Sequence, residues 1–444
     1  MKHIVKQLIV LSLLLGVTFS YAQNKRSLNN FREPDKQGIN VFEAPKDTAI
    51  VKAFDGVRVR VGGSSALQFQ AIDHENGFVA TDNPSSPWYE MVPLIEIGDN
   101  FNLATANLDL DVELGDGLRM HLRTYLSSRH HPEPYVKGGY LQIDNLNFIK
   151  EGTLSDLMKH VTVKLGHMEQ NYGDQHFRRS DNSSAIYNPF VGNTILDAFT
   201  TEVGGEIYYR NNGWLVMVGM SNGKLNQAVN NPDTTSPSLL GKVGWDKQLS
   251  NDLRVRLTGS IYNTAHAARV YLYSADRTGS RYYFVLEDAE ASASGNFRSG
   301  RYDPGFRNEI TAIMINPFVK YQGLEVFGLV ELTSGRSDSE FEATTPLTEK
   351  RRDWTQYMIE VLYRFGNNEN FYVGGRYNSA SGEEAGSGLD VTIDRFNIGG
   401  GVFLTKNVLA KLEYVNQTYD GFAPGNIYNE GKFSGVVVES VISF

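Results

Sequence analysis

Three groups of ionisable side chains have types and spacings that could do chemistry. The first flanks Gly115-Asp116-Gly117, where Asp109, Asp111 and Glu113 precede the turn and Arg119, His121 and Arg123 follow it. If a three-residue turn is closed by Leu114 and Leu118, antiparallel pairing sets Glu113 opposite Arg119, Asp111 opposite His121 and Asp109 opposite Arg123, all on one face. Leu110, Val112 and Leu114 then meet Leu118, Met120 and Leu122 on the other face. The second group is a set of arginines alternating with apolar residues: Arg58 and Arg60 between Val57, Val59 and Val61, and Arg254 and Arg256 between Leu253, Val255 and Leu257. The third is Asp174, His176, Arg178, Arg179 and Asp181, within a Gly- and Asn-rich stretch from 170 to 196.

The chemistry these groups could do is electrostatic. Charges packed on one wall are costly in a dry core unless fully paired, but cheap beside water. A hydrated wall of guanidinium groups could replace part of an anion's hydration. Arg119 and Arg123 would be largely neutralised by Glu113 and Asp109, whereas Arg254 and Arg256 have no acidic partner in their own strand. Closely spaced charges of both signs in the 170–196 loop would set a transverse field across any opening they border.

Other chemistry finds little support. His167, Glu169, Asp174 and His176 lie close in sequence, but in a flexible loop such spacing is weak grounds for a metal site, and His130-His131 before Pro132 reads as a loop tip. A barrel lipase would need a nucleophilic Ser on a strand-to-helix elbow or beside a His on a neighbouring strand. No such elbow is read here, and His121 is the only His on a well-defined strand face. The chain contains no Cys, which excludes thiol chemistry, disulfides and a lipoprotein anchor. A formal charge of -9, two units more negative without Lys2 and Lys6, makes nucleic acid an unsuitable partner. Neither an enzyme nor a cofactor is expected.

The elements that must hold these charges are strands. Residues 1–22 read as a cleavable signal peptide, with Lys2 and Lys6, an apolar run from Leu8 to Phe19 and small residues at Ser20 and Ala22. Beyond it no apolar run is long enough for a membrane helix. At the C-terminus Val436, Val438, Ser440, Ile442 and Phe444 share one face and Gly435, Val437, Glu439, Val441 and Ser443 the other. This terminal aromatic strand resembles the signal read by the barrel assembly machinery of bacterial outer membranes.

Working back from Phe444, tight turns at Gly115 to Gly117, Asn211 to Gly213, Gln322-Gly323, Gly366 to Asn370 and Thr405 to Asn407 alternate with long polar stretches. The long stretches are Asp73 to Asn100, Ser127 to Tyr135, Gln170 to Leu196, Asn222 to Ser238, Thr264 to Asn308, Gly335 to Arg352, Ala380 to Gly388 and Asp420 to Lys432. The pattern predicts an all-β fold, a transmembrane antiparallel β-barrel of about 16 strands over residues 55–444, with short periplasmic turns and long extracellular loops. Asp144 to His160 is long for such a turn and carries Leu154, Leu157 and Met158 at helical spacing. Residues 23–54 show no sustained alternation and read as a flexible or lumen-associated extension.

Val57 to Gly63, the loop Gly173 to Asn182 and Phe371 to Tyr377 resemble the phosphate-selective porin O/P family, a diffuse likeness over most of the exported chain. It implies a homotrimeric, sixteen-stranded porin in the outer membrane of a Gram-negative bacterium, with lipid outside the barrel and anions as a substrate class. The chain departs from the family in charge, because it is acidic overall and its lumen arginines are partly paired. The expectation is therefore a porin for small hydrophilic solutes or ions, narrowed by the 170–196 loop, with an adhesion or binding barrel presenting Tyr271, Tyr273, Tyr282 and Tyr283 as the alternative.

Overall fold

The structure is a computed structural model that describes residues 28–46, 52–78, 94–127, 134–180, 184–223, 236–274, 281–296, 298–337 and 351–444. The expected signal peptide, His130-His131 and Asp181 lie outside the described residues.

Sixteen strands close into one antiparallel barrel, each paired with its sequence neighbours and the first with the last. In chain order they are β1 Arg58–Glu75, β2 Asn100–Gly115, β3 Leu118–Ser127, β4 Tyr135–Ile143, β5 Val161–Glu169, β6 Thr201–Asn211, β7 Trp214–Ser221 and β8 Ser238–Gln248. There follow β9 Leu253–Thr264, β10 Glu309–Tyr321, β11 Leu324–Arg336, β12 Arg352–Phe365, β13 Phe371–Glu383, β14 Asp390–Thr405, β15 Val408–Asp420 and β16 Lys432–Ser443. Among the described residues no helix is long and apolar enough to cross a membrane.

Period two writes the inside and outside of this wall. Along β12, Tyr357, Ile359, Val361, Tyr363 and Phe365 face outward and are exposed, while Trp354, Gln356, Met358, Glu360, Leu362 and Arg364 face inward and are buried. On β16 the exposed face is Val436, Val438 and Ile442, and the inward face is Val437, Glu439 and Val441. An apolar belt left open to solvent in a protein whose interior is charged is the pattern of a wall that lipid covers. Phe444 completes closure by exchanging backbone hydrogen bonds of 3.0 Å with Gly63.

Turns and loops alternate along the chain as the sequence predicts. Asn212 and Gly213 both adopt positive φ between β6 and β7, the geometry that a two-residue hairpin turn demands. The 144–160 connection contains a single helical turn, Ser155–Met158. Pairing between β2 and β3 sets Asp109 against Arg123, Asp111 against His121 and Glu113 against Arg119, as expected from parity. The turn itself differs: Gly115 pairs with Leu118 and the register shifts between Glu113 and Gly115, so the closure is one residue tighter than a three-residue turn. A bulge absorbs the odd residue and leaves the charged face in phase.

The lumen is more filled than the sequence suggests. Residues 28–46 and the described parts of the loops 170–200 after β5 and 265–308 after β9 all fold inside. Ile195 and Leu196 donate backbone hydrogen bonds to Asn378 on β13 and Gln356 on β12, at 2.7 and 2.8 Å. Phe199 and Tyr302 tie the two loops together through Leu272 and Ile195. Phe42, Tyr172, Val191, Ile195, Leu196, Leu272 and Leu286 form an apolar cluster with the wall residues Trp354, Met358, Val415 and Val437. The loop read as polar thus carries short apolar runs that cover one half of the wall's interior.

Candidate functional site

The inward charges of β1 to β5 line a cavity inside the barrel. Arg123 grips Asp109 with two bonds of 2.7 Å. Asp111 accepts from Arg119 at 3.1 Å, Nδ1 of His121 at 2.9 Å and Arg60 at 3.3 Å. Arg119 is therefore not the partner of Glu113, which lies 2.7 Å from Arg58 across β1, while Arg119 spends its second nitrogen on Gln142 at 2.6 Å. Register places Arg119 and Glu113 opposite each other, but the length of the arginine lets it reach one step diagonally along the strand.

The segment 28–46 and the described residues of the 170–200 loop bound this cavity from the inside. Between them and the wall lies a cavity of about 190 Å³, bordered by Arg32, Arg60, Arg119, Arg123, Lys137 and Lys164 against the carboxylates Glu43, Asp109, Asp111 and Glu169. Six permanent cations against four carboxylates make its field positive. Lys164 Nζ lies over the rings of Tyr140 and Tyr208 at 5.5 and 5.1 Å and makes no ion pair with any described residue. A second cavity of about 260 Å³ lies among the β2–β3 turn and the 144–160 connection, and shares Arg119 with the first.

Arg254 and Arg256 differ from the sequence reading. Arg254 holds Asp246 of β8 with bonds of 2.8 and 2.6 Å. Arg256 binds Asp174 at 2.8 and 2.9 Å and reaches Glu43 at 2.9 Å. Their partners lie on the neighbouring strand, in the loop and in the N-terminal segment, so a search within one strand could not find them. Lys242 of β8 joins the same knot, 2.7 Å from Asp174 and 3.2 Å from Glu43. Burial by itself would push the carboxyl of Glu43 up, but Arg256 and Lys242 outweigh it and hold the group down at about 2. Asp174 follows the same balance and sits well below the usual carboxylate range.

Of the described loop residues singled out from the sequence, His176 alone borders this cavity. Its ring contacts Glu169 at 2.6 Å and Asn171 at 3.0 Å. Arg178 bonds Glu360 of β12 and Asn40, and Arg179 clasps Asp197 at 2.7 and 2.8 Å. These four lie inside the barrel, yet Asp174, Arg178 and Arg179 sit in closed ion pairs and do not border the cavity. Asp174 turns to β8 and β9 while Glu169 and His176 meet each other, so the four residues weighed for a metal do not converge.

Sequence reasoning missed Arg32, Glu43, Lys137, Lys164, Lys242 and Glu360. Lys164 and Glu360 carry the same signal as the β2–β3 charges, an ionisable residue in phase with the inward positions of its strand. Arg32 and Glu43 lie where no periodicity exists to place them. The sequence also contains Gly219-Met220-Ser221-Asn222-Gly223, which has Gly-x-Ser-x-Gly spacing. Its serine is the last residue of β7, and the Ser221 hydroxyl donates to Glu202 instead of meeting a histidine.

No family model matches the chain, and no curated protein matches it. Solved structures do. A variant of OmpT, an outer membrane protein of Vibrio cholerae, lacking loop L8 aligns at a TM-score of 0.51 and 12% identity, covering 88% of this chain and 100% of that one. OmpT of Vibrio cholerae in its trimer form aligns at 0.50 and 12% identity over 88% of this chain and 100% of its own. An anion-selective porin from Comamonas acidovorans aligns at 0.49 and 13% identity, covering 87% and 100%. The chain has the fold of a sixteen-stranded outer-membrane barrel.

Proposed function

We propose that the protein is an outer-membrane porin through which small hydrophilic solutes pass by diffusion, with a preference for anions. The observation that carries this reading is the positively charged cavity between the β1–β5 wall and the inserted segments, which shares Arg119 with a second cavity at the short-turn end. No bond is made or broken in this process. Charged groups already solvated by their partners and by lumen water lower the cost of stripping an ion's hydration, and the excess of cations favours anions. The short turns face the periplasm, the long loops face outward, and a homotrimer is the assembly suggested by the family resemblance. Phosphate is not singled out, because Arg58, Arg60, Arg119 and Arg123 all hold carboxylates, with Arg60 and Arg119 sharing Asp111.

Purified protein in planar bilayers tests this reading. Step-like conductance with a reversal potential favouring chloride over potassium is expected in a salt gradient, and a barrel that carries no current overturns it. The binding or adhesion reading has less support: of its four tyrosines, Tyr273, Tyr282 and Tyr283 are 2%, 1% and 9% exposed, and Tyr271 is half-buried.

A further inference from the structure

The N-terminal segment crosses the lumen. At one end Lys46 bonds Asp144 at 3.1 Å and the carbonyl of Val161 at 2.8 Å, at the edge of β4 and β5. In the middle Glu43 reaches Arg256 and Lys242, and Asn40 donates to Glu325 of β11 at 2.6 Å. At the other end Asp35 lies 3.0 Å from Lys406, whose carbonyl accepts from Lys36 at 2.8 Å, in the β14–β15 turn. In a closed sixteen-stranded ring these attachments fall on opposite walls, so residues 35–46 span the opening rather than line it.

The attachments are those of a plug, not of a strand. Side chains make nearly all of them: ion pairs, single hydrogen bonds, and Phe42 edge-on against Phe318 with ring centroids 5.4 Å apart. The segment adds no strand to the sheet, so the barrel's own hydrogen bonding is complete without it.

The segment also carries a cation in a condition that the wall arginines around the cavity do not share. Around the open cavity, Arg60, Arg119 and Arg123 each hold a carboxylate. Arg32 does not. Its Nε and one Nη donate to the carbonyls of Gly38 at 3.0 Å and Phe177 at 3.1 Å, and its guanidinium lies 3.6 Å over the ring of Tyr187. Its remaining nitrogen bonds no described residue, and no described carboxylate pairs with it. Lys164 on the wall is the second cavity cation in that condition. A partly desolvated cation satisfied only by neutral groups gains most from a passing anion, whereas one bonded to a carboxylate gains little.

We propose that residues 28–46 are an internal plug that sets both the width and the charge preference of the pore, with Arg32, facing the cavity beside Lys164, as its ion-selecting side chain. The inference rests on the porin reading above and assigns its selectivity to an element that is not part of the barrel.

Bilayer recordings of the full chain and three variants test it. The chain has no Cys, so Asp35→Cys with Lys406→Cys gives a unique pair that a short bifunctional thiol reagent should link if the segment lies where we place it. Arg32→Glu should lower the anion-to-cation permeability ratio by about threefold or more with little change in conductance, and deletion of residues 28–46 should raise single-channel conductance about twofold. Failure of the pair to link overturns the proposal. So does linking accompanied by an unaltered permeability ratio in Arg32→Glu, even where the deletion variant fails to insert. Current from the native chain with none of these changes removes the plug and leaves the porin. Silence from both the native chain and the deletion variant removes the porin reading and the plug with it.

Discussion

The two halves of the lumen use the same strand pattern to opposite ends. On the β1–β5 wall the inward charges pair with each other along the wall and leave a charged cavity in front of them. On the β11–β16 wall they pair with chain that has folded inside. Glu360 holds Arg178 of the loop as well as Arg376, Glu413 accepts from the backbone of Val191 and the hydroxyl of Tyr282, and Glu439 holds Arg281 and Lys411. Glu331 accepts from Tyr172 at 2.9 Å and from Tyr273 at 2.5 Å. Alternation alone does not make a pore. An inward charge borders water or becomes a buried anchor according to whether a loop comes to meet it.

Breaking one anchor in the filled half should have the largest effect. Glu360→Gln leaves Arg178 and Arg376 without their carboxylate in a dry setting, and a loss of about 3 kcal/mol is expected. Urea unfolding in detergent micelles would show it as a lowered midpoint. Asp174→Asn comes next: it leaves Lys242 with Glu43 as its carboxylate and Arg256 with Glu43 and Asp246, and should cost about 2 kcal/mol, read in the same titration, with noisier single-channel current as the loop and the N-terminal segment loosen.

Acidification probes the same knot. Glu43 has its folded pKa depressed from 4.5 to about 2, so the stability it contributes is complete above 4.5 and drains away as pH falls toward 2. Conductance should hold steady from neutral pH to about 4.5 and rise only below it. A rise beginning near pH 6 would show that this knot does not hold the segment.

The smallest change is expected on the open wall. Asp109→Asn frees Arg123 beside the cavity, where water can solvate it, and should cost about 1 kcal/mol while moving the reversal potential further toward anions. Equal stability losses in Asp109→Asn and Glu360→Gln would erase the distinction between the halves.

Much of the barrel is legible in the sequence. The β2–β3 register followed from counting outward from Gly115 to Gly117, since strand parity survives a one-residue error when a bulge absorbs it. The inward faces of β12 and β16 could be read in the same way. What could not be read was who meets whom across the lumen. Arg254 looked unopposed because its partner Asp246 sits on the preceding strand, and Arg256 because Asp174 and Glu43 come from two other segments. Residues 28–46 offered no period at all, and their position follows from scattered contacts such as Lys46 with Asp144 and Asp35 with Lys406.

The sequence by itself determined the strands, their faces, the alternation of turns and loops and the closure on a terminal aromatic residue. These depend on neighbours two residues apart and on turns of a few residues, so the information is local. Tertiary structure alone decided where the barrel keeps its cavities, which arginines keep a free side and what lies across the middle. Those outcomes depend on pairs such as Val191 with Glu413 and Arg281 with Glu439, far apart in the chain and brought together only when the barrel closes and the loops fold into it.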